Sequence, residues 1–274
     1  IGGWQKRGSD NYLGTARALH PWVTLDRDQY IGVGTNLKYY IDRGGEYNDI
    51  TPLRLTTAAG DVTFSATNGS STLVVSDTAH GAVVNDFVTI SGAATLGGTI
   101  TADVLNQEYQ ITLIVDDNSY HITARTAGSL INDPIVPVLA NGSDTGNGGT
   151  SVVGAYQINT GLDTVVRASG WGAGIWGGVG NGGTSGTVGN VSGWGDPAAN
   201  DAIVSNILRL WSHDNFGEDL LINVRDGGIY YWDATTGLGN RAVNITSLST
   251  LPSIPTVAKQ ILVSDRDRHV IAFG

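Results

Sequence analysis

The sequence predicts an all-β fold: a β-propeller-like domain with a small β-barrel or sandwich domain inserted into it. Three observations carry that expectation. First, one phrase recurs, at residues 30–41 (YIGVGTNLKYYI), at 220–232 (LLINVRDGGIYYW) and, shortened, at 261–273. Each copy is an apolar run, a short polar turn and a second run rich in aromatic or β-branched residues, which is how an antiparallel hairpin reads. A hairpin unit repeated at intervals is the sequence signature of propeller blades. Second, the 274 residues include 39 Gly, 7 Trp and 10 Tyr but only 15% charged side chains. That mixture suits sheets and turns, and suits helices poorly. Third, residues 60–158 contain no Trp although both flanks are rich in it.

In chain order, residues 1–59 are expected to supply the first part of the propeller-like domain. A strand is read at 13–20, then the first hairpin with its turn at Thr35-Asn36, a turn at Gly44-Gly45 and a strand at 47–55. The flanks repeat as well. Arg17 to Trp22 is answered by Arg209-Leu-Trp-Ser, and Asp49-Ile50-Thr51 by Asn244-Ile245-Thr246. Residues 60–158 read as the inserted β-domain, with strands at 62–64, 71–75, 87–90, 109–115 and 119–123, and turns at Asn68-Gly69 and Asp116-Asp117-Asn118. Insertion at a loop tip costs little, since loop-closure entropy grows only logarithmically. Residues 140–149 read as a flexible return linker or hairpin tip. Residues 159–274 form the second propeller part. It opens on a glycine-rich run with Trp171, Trp176 and Trp194, and continues through a strand at 207–211.

Composition removes several classes of function. The chain has no Cys, so disulfides, thiolate metal sites and a Cys nucleophile are excluded. It has no Met and begins at Ile1, which is expected of a segment cut from a longer polypeptide, with proteolytic maturation as the alternative. A net charge of -10 argues against gripping nucleic acid by its phosphates, though not against a smooth acidic passage for it. No apolar run reaches the roughly 20 residues of a membrane span, so no membrane insertion is expected.

The chemical motifs read as structural. Residues 172–177 and 178–183 spell G-x-G-x-x-G, but without the βαβ context that a dinucleotide site requires. His20, His80, His121, His213 and His269 are scattered, with no metal-ligand spacing, and there is no G-x-S-x-G elbow. Asp26 to Asp28 and Asp265 to Arg268 fit hairpin turns rather than calcium loops. A pair of carboxylates placed for glycoside cleavage is a spatial arrangement that the sequence does not reveal. Trp and Tyr read first as packing and second as platforms for sugars or partner proteins.

The phrases at Gly2-Gly3-Trp4, 13–20, 32–36, 38–41, 49–54, 170–177, 208–220, 229–233 and 268–274 resemble those of tail nozzle (tail tubular protein B-like) proteins of short-tailed bacteriophages. The insert resembles the FCCH-like β-domain, with Asp77-Thr-Ala-His-Gly81 as its most recognisable phrase. The resemblance implies a virion structural protein of the phage tail. That protein is non-enzymatic, forms a ring of six copies below an adaptor protein, meets tail fibres or tip proteins, and surrounds a channel through which genomic DNA leaves. It implies no catalytic, cofactor-binding or metal-binding residue and no cofactor. The alternatives are a receptor- or glycan-binding tail module and, last, a virion-associated glycan hydrolase.

Overall fold

The structure, a computed structural model, describes residues 10–126, 136–162, 208–248, 253–264 and 266–274. The described residues up to Thr160 and from Leu210 onward belong to one compact unit. The Gly2-Gly3-Trp4 phrase, both G-x-G-x-x-G runs and Trp171, Trp176 and Trp194 lie outside the described residues.

The described chain is all-β, as expected from its alternation and glycine content. The first sheet is a meander of β1 (Ala16–Val23), β2 (Gln29–Thr35), β3 (Tyr39–Arg43) and β4 (Glu46–Asp49). Next come β5 (Leu53–Thr56), β6 (Thr63–Ala66), β7 (Thr72–Ser76), β8 (Phe87–Ser91), a short helix α1 (Ala102–Leu105), β9 (Glu108–Gln110), β10 (Leu113–Asp116), β11 (Ser119–Thr123) and β12 (Val153–Gln157). These strands build two four-stranded sheets, ordered β10-β11-β7-β6 and β5-β12-β8-β9. A second meander holds β13 (Trp211–Phe216), β14 (Asp219–Val224), β15 (Ile229–Trp232) and β16 (Val243–Asn244), and β17 (Gln260–Val263) with β18 (Val270–Phe273) closes the chain. All three copies of the recurrent phrase are thus hairpins: β2-β3, β14-β15 and β17-β18.

The two meanders and the terminal hairpin pack as layers, and strand alternation decides which side chain faces which layer. On one face of the second meander, Trp211, Leu220, Ile222, Tyr230 and Trp232 meet Tyr39, Ile41 and Ile50 of the first. On its other face, Leu221 and Ile229 meet Ala258, Ile261 and Val263. Both faces of β14 and β15 are therefore covered, which is why 220–224 and 229–232 are almost continuously apolar. The repeat extends to the corners: Asp49 Oδ1 accepts from Thr51 N–H at 2.9 Å, and Asn244 Oδ1 accepts from Thr246 N–H at 3.0 Å. Two meanders and a hairpin are fewer than the four or more blades of a closed propeller, so the described residues carry the all-β reading and not ring closure.

Two glycines in β2 make the interlayer packing possible. A Cβ at Gly32 would lie 2.5 Å from the Tyr39 hydroxyl oxygen, and one at Gly34 would lie 2.5 Å from Trp211 Cδ1. The Trp211 indole N–H donates to the Thr35 carbonyl at 2.7 Å, fixing the ring over that gap.

The strands of the 60–158 region bury a core of their own, including Val62, Leu73, Val88, Ile90, Tyr109, Tyr120, Ile122 and Tyr156. Its entry strand β5 and exit strand β12 pair side by side, Leu55 opposite Tyr156. Three expectations shift in detail. The run 109–115 is two strands, because Ile111 pairs its backbone with Asn85 and Asp86 while Thr112 N–H turns to His121. The run 47–55 breaks at Pro52, which has no N–H to give a ladder. The 140–149 segment is tied down: one buried carboxylate, Asp144, accepts from the N–H groups of Gly98, Thr99, Ile100 and Asn141 and from the Thr99 hydroxyl, at 2.8–3.1 Å.

Gly34→Ala should overpack the layer and lower stability by about 1–3 kcal/mol, the usual cost of a forced core methyl. Urea unfolding followed by Trp fluorescence measures this. An unchanged midpoint would mean that Trp211 is not seated against β2.

Candidate functional site

The densest cluster of charge chemistry lies where the first meander, the second meander and the insert meet. Lys38 stands at the head of β3, in the middle of an apolar phrase, and its side chain is only 2% exposed. Folding the hairpin places it there: Thr35 N–H donates to the Lys38 carbonyl at 2.8 Å, and the Thr35 hydroxyl accepts from Lys38 N–H at 2.8 Å. The bend therefore falls at Asn36-Leu37, one residue later than the sequence suggests. A buried ammonium must be met by anions, since desolvating a bare charge costs several kcal/mol or more.

Lys38 Nζ donates to Asp49 Oδ2 at 2.6 Å and to both oxygens of Glu108 at 2.8 Å. Asp49 ends β4 and Glu108 begins β9. Arg241, which precedes β16, closes the group from the second meander, with Nη1 3.2 Å from Asp49 Oδ1 and Nη2 3.5 Å from Glu108 Oε1. The same guanidinium donates to the Thr51 carbonyl at 2.9 Å. Gln157, at the end of β12, donates its amide to Glu108 Oε1 at 2.5 Å. The Phe87 ring lies 4.5 Å from the ammonium, a cation–π contact on its remaining side. Two cations and two carboxylates make the group formally neutral.

Asp49 and Glu108 are a close pair of carboxylates, the arrangement that the sequence could not reveal, and their chemistry is that of a clamp. Burial pushes the Asp49 carboxyl up, but Lys38 and Arg241, with hydrogen bonds from Lys38 and Thr51, outweigh it and hold the group below its ordinary 3.8. A general acid for glycoside cleavage needs a raised value instead. Neither Lys38, Glu108, Arg241 nor Gln157 was legible as a site residue. The one signal was a lysine within an aromatic strand, and its partner Glu108 is 70 residues away.

The histidines divide. His20 and His213 come together between the meanders, with ring centroids 4.8 Å apart. His80 is buried in the insert, where Nδ1 accepts from Ala82 N–H at 3.0 Å and Nε2 donates to the Asp116 carbonyl at 3.1 Å. That locks the Asp77-Thr-Ala-His-Gly81 phrase beside a buried chain in which Tyr156 donates to Asp77 at 2.6 Å and Tyr120 stands 2.9 Å from Tyr156. His121 lies on β11 and His269 precedes β18. Asp26 sits in the β1-β2 turn, and Asp28 pairs with Arg43 at 2.6 Å. Trp211 and Trp232 are buried, as packing predicts, and Trp22 is half-buried. Among the described residues no helix is long and apolar enough to cross a membrane, and no group of three or more His, Cys, Asp or Glu could hold a metal ion.

No family model and no curated protein matches the sequence. Four chains of solved structures match. Among the similar structures is the Phage phi92 endosialidase, 13% identical, with 90% of this chain and 32% of that chain covered and a TM-score of 0.23. This chain thus spans about a third of that protein's length. The match corrects one expectation: the chain was read as non-enzymatic, whereas the protein it is similar to is named for a glycan-cleaving activity. The non-enzymatic reading is withdrawn, and a similarity at this TM-score transfers neither a fold nor an activity in its place.

Replacing Lys38 by Met should leave two carboxylates facing each other without their ammonium. Breaking a buried pair costs 3–5 kcal/mol, and with both carboxylates 21% exposed the expected loss is about 3 kcal/mol. Adding Glu108→Gln should recover part of it, as a double-mutant cycle in urea would show. Because the folded-state value of Asp49 is depressed, its contribution is present above the ordinary 3.8 and is lost as pH falls through the folded value. A Lys38→Met protein as stable as the parent would remove the clamp.

Proposed function

We propose that the chain is a structural component of a bacteriophage tail, a nozzle subunit whose copies stand in a ring around the passage for the genome. The observation that carries this reading is the Lys38–Asp49–Glu108–Arg241 clamp, which joins a side chain of the 60–158 region to side chains of both meanders. A channel wall needs such fixed geometry, and identical subunits with heterologous contacts close into rings. Support also comes from the nozzle-like phrases at 32–36, 38–41, 49–54 and 229–233, and from the net charge of -10, which keeps phosphates from adhering to a passage. In this reading residues 1–59 and 159–274 form the body and 60–158 the insert, which stands on the outer wall. The adaptor and the fibre or tip proteins are the neighbours along the tail.

A second reading, a receptor- or glycan-binding tail module, is favoured by one observation. Half-buried Trp22 and Tyr30 lie edge to face at 5.4 Å, with the Arg43 guanidinium 5.9 Å from the Tyr30 ring. Aromatic faces beside a cation are a surface that sugars and partner proteins use.

Native mass spectrometry and negative-stain imaging of the full-length protein with its adaptor test the proposal. Closed rings that persist in added salt are expected, because acidic subunits repel less when screened. A strictly monomeric particle that binds glycans, and loses that binding on Trp22→Ala, would replace the nozzle reading with the second one.

A further inference from the structure

The seam between the two meanders contains a pair of histidines whose protons can be placed. His20 Nε2 is 2.7 Å from Asn215 Oδ1. The amide of Asn215 is oriented by its own Nδ2, which donates to the Asp219 carbonyl at 3.2 Å. His20 therefore carries a proton on Nε2. On the opposing strand, His213 Nδ1 is 2.8 Å from the Tyr39 hydroxyl. Tyr39 is fully buried, and burial pushes its pKa up, so the phenol keeps its proton and donates it to Nδ1. Neutral His213 then holds its own proton on Nε2, facing the Leu19 backbone.

We propose that His20 and His213 make this seam an acid-sensitive clasp, which loosens when His213 takes up a second proton. That proton must enter at Nδ1, where the Tyr39 hydrogen already points. The hydroxyl would then have to turn its hydrogen away and accept from Nδ1–H instead, so the buried phenol would lose its own acceptor. A charged His213 would also face the His20 ring at a centroid distance of 4.8 Å, and His20 opposes a second proton on His213.

The groups around His213 do little to offset this. From β1 it meets His20, from β3 Tyr39, and across β14 its register partner is the apolar Ile222. On its own strand Asp214 is engaged elsewhere, Oδ2 accepting from Val263 N–H of β17 at 2.8 Å and Oδ1 from Asn215 N–H at 2.9 Å. Burial first and His20 second hold His213 down, to about 4 from its ordinary 6.5, against the opposing pull of Leu19 and Asp214. The unfolded chain therefore protonates before the folded one. Stability falls as pH drops from about 6.5 toward 4 and is insensitive to this group below that. The window lies above the one set by Asp49. The inference does not depend on the proposed tail role.

Two measurements on the full chain test it: an NMR titration of the histidine rings, and urea unfolding by Trp fluorescence between pH 7 and 4.5. His213 should be the Nε2–H tautomer at pH 7 and titrate well below 6, while the unfolding equilibrium constant rises roughly tenfold or more between pH 6.5 and 4.5. His213→Gln, which still offers Tyr39 a polar partner but does not titrate, should flatten that window. A His213 midpoint at or above 6.5, or the same pH dependence in both proteins, would overturn the clasp. Should His213→Gln fail to fold, the parent titration alone decides.

Discussion

A lysine ammonium that water cannot reach has to find its counter-charges inside the protein, and Lys38 finds them on two separately cored parts of the fold. Asp49 comes from its own meander and Glu108 from the insert, and Arg241 returns from the second meander to keep the group neutral. Without the 60–158 region the meanders would hold two cations, Lys38 and Arg241, against the single carboxylate of Asp49, and Glu108 would stand without either cation. Docking of the insert is therefore tied to completion of the layered body. The hydrogen bond from Ala242 N–H to the Ile50 carbonyl at 3.0 Å pins the same corner through the backbone.

Around that corner the fold is governed by layers. The second meander is apolar on both faces because it lies between the first meander and the terminal hairpin. One polar side chain inside this stack is satisfied in an unusual way. Asn223 is fully buried, and its amide nitrogen is within 2.9–3.2 Å of the carbonyl oxygens of Val224, Gly227, Gly228 and Ala258. One side chain thereby fastens the β14-β15 turn to the approach of β17. The histidine seam is a further polar feature, and in the proposed clasp it is the place where the packing is sensitive to protons rather than to volume.

Much of this architecture was legible because strand alternation and turn chemistry are local. The recurrent phrase gave three hairpins, and the Asp49-Ile50-Thr51 and Asn244-Ile245-Thr246 echo gave matching corners. Local signals failed where a tertiary partner decided the outcome. Ile111 ends a strand because its backbone is taken by Asn85 and Asp86, and Asp144 orders a segment whose Gly, Ser and Asn content suggests a flexible linker. The clamp was invisible for the same reason. Nothing in the spacing of Lys38, Asp49, Glu108 and Arg241 says that they meet, and a lone lysine in a strand reads equally well as a solvated one.

If the clamp fixes the insert on the body, the two should tumble and align together. Amide residual dipolar couplings from β7 and β11 in the insert and from β2, β3 and β14 in the body test this most directly. A single alignment tensor should fit both sets in the parent protein. Two tensors differing in magnitude or orientation would show that the insert moves independently and that the buried charges do not hold it.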